Sequence, residues 1–285
     1  MIIEHLRKTY HQRICSNVIR TIKGYPNFAD GSNRASCSIA WEIANRLGYR
    51  KNQDEVGIQE QTVGNRFETY TEEFLESSFK LLQHLRPDRW NYFTRKTDIS
   101  IFEQYEHLKY MSEVITKDNL PASAIGGDYI VKPDIIIARA AILDTEINQQ
   151  DQLIEDSEKA ATLTPLRQIN RPNQPHWILH ASISCKWTIR SDRSQNTRTE
   201  ALNLIRNRKG PLPHVIAVTA EPLPTRISTL ALGTGDLDCV YHFALYELEE
   251  AIKEIKNEDQ FDLLTIMVEG RRLRDISDLP FDLAI

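Results

Sequence analysis

The chain has 285 residues, of which 41% are hydrophobic and 26% charged, with a net charge of −5 and an isoelectric point of about 5.9. Those are the proportions of a soluble globular protein; no apolar run approaches the roughly 20 residues of a membrane span, and the acidic balance argues against promiscuous nucleic-acid binding. Four scattered cysteines (Cys15, Cys37, Cys185, Cys239) form no CxxC pair, which argues against a zinc framework or a disulfide scaffold and fits a reducing cytosol.

The first residues, Met1-Ile2-Ile3-Glu4-His5-Leu6-Arg7-Lys8, are charged too early and too often for a secretory leader. In chain order, residues 3–22 and Ser36–Leu47 read as helices around a polar loop, Tyr25–Asn33. Asn65–Leu85 is the clearest amphipathic helix: Phe67, Tyr70, Phe74, Ser78, Leu81 and Leu85 recur at spacings of three and four. Its opening, Asn65-Arg66-Phe67-Glu68, has the form of a capping box. Pro87-Asp88 then reads as a stop signal, and residues 101–114 as another helix. Ile130–Arg139 is β-rich, with Pro133 at a position tolerable in a strand end. The polar stretch from Ala140 to Pro175 gives no clear assignment.

Trp177–Lys186 reads as a strand, Gln195–Arg208 as a helix stopped by Gly210-Pro211, and His214–Thr219 as a second strand. Strand, helix and strand within this length predict a βαβ crossover and a parallel pair. Cys239–His242 adds a short strand, and the tail holds helices near Ala244–Lys256 and Asp262–Val268. With no internal repeat and no evident linker, the expectation is one α/β domain over residues 1–285, with a central mixed β-sheet flanked by helices.

The densest chemistry lies around the end of Trp177–Lys186. Seven basic residues between Lys186 and Lys209 face two acids, Asp192 and Glu200, a focused positive segment in an acidic chain. Strand alternation puts Ser184 and Lys186 on one face, with Ile183 and Cys185 on the other. Upstream, Asp134 follows Pro133 at the edge of the apolar run Ile135-Ile136-Ile137. Carboxylates and a lysine at adjacent strand ends are what phosphodiester hydrolysis needs: hard oxygens to hold Mg²⁺, and an ammonium to orient or deprotonate water. Ser184 stands where such a set has an acid, and a serine cannot replace a metal-binding carboxylate. Glu200 could supply the charge if its helix packs back beside the strand end.

Each residue also has an ordinary reading. Asp134 fits a strand-entry turn, Lys186 a strand-end lysine with its head in water, and Glu200 a solvated helix face. Glu254-Ile255-Lys256 has the letters of the motif but sits in a helical pattern, where positions i and i+2 do not face each other. Arg190, Asp192 and Arg193 could read adjacent G·C pairs, arginine donating to guanine O6 and N7 and a carboxylate accepting from cytosine N4; equally, they could form a salt bridge on a loop. The eight histidines do not cluster at metal-ligand spacing, and Trp177 and Trp187 read as packing residues.

The segment Ser182-Ile183-Ser184-Cys185-Lys186-Trp187-Thr188-Ile189-Arg190-Ser191-Asp192-Arg193 closely resembles type II restriction endonucleases of the CCGG-reading PD-(D/E)xK group, in its NgoMIV-like branch. The likeness extends through Arg206-Asn207-Arg208-Lys209-Gly210, Val218-Thr219-Ala220-Glu221-Pro222 and the run from Asp238 to Glu247. It also touches Ala29-Asp30-Gly31-Ser32-Asn33, Gln61-Thr62 and Phe67-Glu68. The resemblance implies a variant motif in which the acid two residues before the lysine is replaced by Ser184 and supplied by Glu200. It implies that Asp134, Lys186 and Glu200 form the catalytic core beside Ser184, with Glu68 an accessory acid. Metal would be held by Asp134, Glu200 and the Cys185 backbone carbonyl: two Mg²⁺ per site, with Mn²⁺ able to substitute.

The resemblance further implies that Arg190, Asp192 and Arg193 read the CCGG centre of double-stranded DNA and that Ser32 and Gln61 read the outer pair, giving GCCGGC cut to 5′-phosphates. The assembly would be a homodimer at minimum, on the symmetry of a palindrome, and a homotetramer by resemblance. A DNA methyltransferase of the same restriction-modification system is expected, though not as a stable partner. Two other readings stay open from the residues alone: a repair or mobile-element nuclease of the same fold, and a non-catalytic DNA-binding protein. The joint presence of Asp134, Lys186 and Glu200 weighs against the second.

Overall fold

The structure is a computed structural model that describes residues 1–50, 59–94, 97–110, 131–155, 157, 159–168, 176–233 and 235–285, with the side chains of residues 191–194 outside the described set. In chain order the elements are α1 (Ile2–Asn17), β1 (Thr21–Ile22), β2 (Tyr25–Pro26), α2 (Arg34–Arg46), α3 (Glu60–Lys80) and β3 (Trp90–Thr94). Two 3₁₀ turns (Ile99–Ile101, Glu103–Tyr105), β4 (Ile135–Ala140), α4 (Asp144–Ile147), β5 (Trp177–Lys186), α5 (Ser191–Asn207) and β6 (His214–Thr219) follow. The chain closes with α6 (Pro224–Ala231), β7 (Cys239–His242), α7 (Leu245–Ile255), α8 (Glu258–Glu269), β8 (Leu273–Asp275) and α9 (Leu279–Asp282).

The chain forms two compact units: Met1–Arg86 with Ile183–Ala201 and His214–Ile285, and Pro87–Ser182 with Leu202–Pro213. Six strands are hydrogen-bonded in the order β3-β4-β5-β6-β7-β8. β3 and β4 are antiparallel, with Tyr92 opposite Ile137, whereas β6, β7 and β8 are parallel, with Val218 opposite Tyr241 and Tyr241 opposite Arg274. The sheet is therefore mixed and helices flank it, the α/β architecture expected. β4, β5 and β6 are buried almost without interruption, as central strands covered on both faces must be.

In the first unit α1 packs on α3, α2 on α7, and α6 and α7 on α8. Asn33 caps α2, its side chain accepting from the Ser36 amide at 3.0 Å, and Asn257 caps α8 in the same way onto Gln260. Arg7 of α1 forks onto two carboxylates. Its Nε and Nη2 donate to Asp275, each at 2.8 Å, and its Nη1 and Nη2 donate to Glu247 at 2.9 and 2.6 Å. Asp275 is fully buried and also accepts from the Leu245 amide and from Ser277.

Several boundaries differ from the sequence reading. The first helix stops at Asn17, not residue 22: β-branched Val18, Ile19, Thr21 and Ile22 disfavour helix, and Lys23 (φ 51°) and Gly24 (φ 91°) turn the chain into the β1–β2 hairpin. The long amphipathic helix runs Glu60–Lys80 and buries Val63, Phe67, Thr71, Phe74, Leu75, Ser78 and Phe79. Leu81 and Leu85, expected on its apolar stripe, lie beyond its end and are exposed, and Asn65–Glu68 is helix interior, not a cap. α5 begins four residues earlier than expected, so Asp192 and Arg193 sit in its first turn and not in a loop. Residues 101–114 open as 3₁₀ turns, with helix over 106–110 and the remainder outside the described residues.

Candidate active site

β5 ends at Lys186, whose carbonyl accepts from the Ala220 amide at 3.2 Å just past β6. Ile183 and Cys185 are buried, while Ser184 and Lys186 are half-buried on the other strand face, as alternation predicts. The next residue, Trp187, is buried among Phe28, Phe67 and Phe243, with ring centroids 5.5, 5.1 and 6.0 Å away. This aromatic cluster, edge-on to Phe28 and Phe67 and tilted to Phe243, pins the chain directly after Lys186 and docks the end of β5 against α3. Phe67 immediately precedes Glu68, so the Phe67–Trp187 contact joins the sequence neighbours of Glu68 and Lys186.

Glu200 lies on α5, half-buried beside the buried residues Thr197, Ala201 and Leu204. In the second unit Asp134 immediately precedes β4; it is half-buried between buried Pro133 and Ile135. Half-buried carboxylates are hard oxygen donors suited to Mg²⁺. The Ser184 hydroxyl, on the same strand face as Lys186, is buried with no hydrogen-bond partner among the described residues. A buried hydroxyl left open in this way is costly unless a bound group or water completes it. Taken one by one, these oxygen groups are of the chemical type that holds a hydrated divalent cation.

The residues expected to read DNA fall on three segments of the first unit. Arg190 is exposed just before α5, its Nη2 3.8 Å from Glu60 Oε1 at the start of α3, and exposed Gln61 follows Glu60. The side chains of Asp192 and Arg193 lie outside the described residues. Ser32 is exposed, and its amide and hydroxyl donate to Asp30 Oδ1 at 3.0 and 2.7 Å. The other Asp30 oxygen accepts from Arg226 on α6.

Sequence reasoning missed Glu221. It is 1% exposed, and burial pushes its carboxyl up to about 7 against the opposing pull of the Ile189 amide and Arg226. Its Oε2 accepts from the Ile189 amide at 2.9 Å and its Oε1 from the Leu223 amide at 3.2 Å. Also unforeseen is a group in the second unit, Glu103, Glu106 and His176, whose ligand atoms lie within 4.8 Å of one another. His176 Nε2 is 2.6 Å from a Glu103 oxygen, and Lys209 Nζ lies 2.9 Å from Glu103 and 4.0 Å from Glu106, so both carboxylates already face an ammonium. No short motif marks the group, because Glu103 and His176 are joined only by folding.

A family model described as "NgoMIV restriction enzyme" matches residues 10–285. The "Type II restriction enzyme NgoMIV" of Neisseria gonorrhoeae is 48% identical over 285 residues, which cover 98% of this chain and 97% of that protein. A solved structure described as "Restriction endonuclease PspGI-substrate DNA complex" aligns over 99% of this chain and 90% of its own, at 16% identity and a TM-score of 0.32.

Proposed function

The chain belongs to the NgoMIV restriction enzyme family and is a type II restriction endonuclease; on that premise we propose that it cuts double-stranded DNA at GCCGGC, using Mg²⁺ and leaving 5′-phosphates. The observation that carries this reading is the end of β5. Lys186 and the exposed Arg190 lie four residues apart on one segment, pinned between them by Trp187, so a cleaving group is tied to a reading group.

Asp134, Glu200 and the Cys185 carbonyl would hold the metal, two ions per site, with Mn²⁺ able to substitute; bound there, it supplies Lewis acidity and a water of lowered pKa. Lys186 Nζ orients the attacking water and balances charge gathering on the phosphoryl oxygens. The water oxygen bonds to phosphorus as the bond to the 3′-oxygen breaks, giving a 3′-hydroxyl and a 5′-phosphate. The Ser184 hydroxyl is positioned on the same face to hydrogen-bond this assembly, and Glu68 is an accessory acid. Arg190, with Asp192 and Arg193, reads the CCGG centre from the major groove. Ser32 and Gln61 read the outer pair.

The family match runs through both units, which supports a single endonuclease domain over the whole chain. Two-fold DNA sites call for at least a homodimer, and we assign a homotetramer in the cytoplasm. A methyltransferase would protect host DNA without binding stably.

Digesting a sequenced plasmid with Mg²⁺ and mapping the fragment ends tests this reading. Cuts confined to GCCGGC, lost in EDTA and restored by Mg²⁺ or Mn²⁺, are expected. Structure-selective cuts that ignore sequence would point to a repair or mobile-element nuclease, and binding without cleavage in either metal to a silent DNA-binding protein.

A further inference from the structure

Glu221 lies one residue beyond the hydrogen bond that joins the Ala220 amide to the Lys186 carbonyl. Its own amide donates to Thr219 Oγ1 at 3.1 Å, so its backbone is tied to the end of β6. From that anchor the side chain reaches in two directions. Oε2 takes the Ile189 amide at 2.9 Å, in the turn between Lys186 and Arg190. The same oxygen is 3.9 Å from Arg226 Nη1, and Arg226 Nη2 donates to Asp30, which in turn holds the amide and hydroxyl of Ser32. One buried carboxylate therefore stands between the segment that follows the cleaving lysine and the turn that presents Ser32.

We propose that Glu221 is a positioning residue: it fixes the Trp187–Arg190 turn in register with the Asp30–Ser32 turn, so that reading of the inner and outer base pairs is coupled to placement of Lys186. The inference rests on the DNA-reading roles assigned above to Arg190 and Ser32. Glu221 acts through the Ile189 amide and Arg226 and not by touching a base or phosphate. Above about pH 7, where the Glu221 carboxyl is ionised, a glutamine would keep an acceptor for the Ile189 amide but lose the charge facing Arg226; an alanine would lose both. A merely structural carboxylate would alter stability and leave sequence discrimination alone.

The test uses full-length parent, Glu221→Gln and Glu221→Ala with Mg²⁺ on duplexes carrying GCCGGC or an outer-pair variant, ACCGGT. Single-turnover cleavage and exchange of the Ile189 amide hydrogen are read together. For Glu221→Gln we expect cognate cleavage slowed by about tenfold to a hundredfold, the scale set by small misplacements at a reacting centre. Its preference for the cognate outer pair should fall by a similar factor while Ile189 protection is largely kept. Glu221→Ala should lose protection as well and fall further. A Glu221→Gln protein whose outer-pair preference equals that of the parent, whatever its melting temperature, overturns the proposal. A parent that does not prefer GCCGGC overturns the reading beneath it, and the inference with it; because the parent is measured first, the two failures are told apart.

Discussion

Replacing Asp275 by alanine isolates one of the most heavily used side chains in the first unit. The carboxylate is fully buried and accepts from Arg7 twice, from the Leu245 amide and from Ser277 twice. Burial alone would push its carboxyl up, but the Arg7 guanidinium and Ser277 hold it below the usual carboxylate range. Its removal leaves Arg7, with 14% side-chain exposure, to Glu247 alone and orphans the Leu245 amide. Breaking a buried charge pair on one side costs about 3–5 kcal/mol. For a chain of this size that is a fall in melting temperature of roughly 6–10 °C, at about 2 °C per kcal/mol. Urea unfolding followed by circular dichroism at pH 7 measures it. Because the folded carboxyl lies below its unfolded value, its contribution is present at neutral pH and lost as pH falls through the folded value. Parent and variant should therefore converge in acid. In the double variant with Arg7→Met the loss should be smaller than the sum of the two single losses, since Asp275→Ala has already broken half of the Arg7 pairing. A loss below about 1 kcal/mol, a gap that persists in acid, or strictly additive single losses would refute the reasoning.

Three further outcomes are expected. Lys186→Ala should cut about 10²–10⁴-fold more slowly in single turnover while binding cognate duplex in Ca²⁺ as tightly as the parent; parental cleavage rates would remove Lys186 from the mechanism. Arg190→Ala should lose about 1–3 kcal/mol of discrimination at one inner G·C pair, roughly 5- to 150-fold, measured by competition between GCCGGC and singly substituted duplexes. Glu221, pushed up to about 7 by burial, keeps a proton that the unfolded chain releases near its ordinary value of about 4.3. Folding stability should thus fall between about pH 4.3 and 7 and level off above, and this slope should vanish in Glu221→Gln; an unchanged slope would assign the titration to another group.

The legible parts of the chain are those where one local signal suffices. β5 was readable from Trp177 to Lys186 because a central strand is a nearly continuous apolar run. The start of α3 was not, because Glu60, Gln61 and Thr62 carry no apolar stripe, and its end was overrun because Leu81 and Leu85 prolong the helical spacing past Lys80. α1 was overextended for a related reason: Val18 and Ile19 are fully buried although the helix has ended, so burial and helical periodicity part company there. Ser184, Lys186 and Arg190 stand out as candidates because they lie within seven residues on one segment. Glu221 was invisible because its meaning comes from the Ile189 amide, 32 positions away in the chain, and an acceptor for a backbone amide leaves no mark in the sequence.

The aromatic cluster behind Lys186 has a practical use. Of the four tryptophans, Trp187 is buried, while Trp41, Trp90 and Trp177 are half-buried. Its emission should lie to the blue of theirs and resist iodide quenching longest, so the chain carries an optical probe one residue from the group assigned to cleavage. Light from that indole would follow the site on the timescale of a single turnover, without a label and without altering a residue.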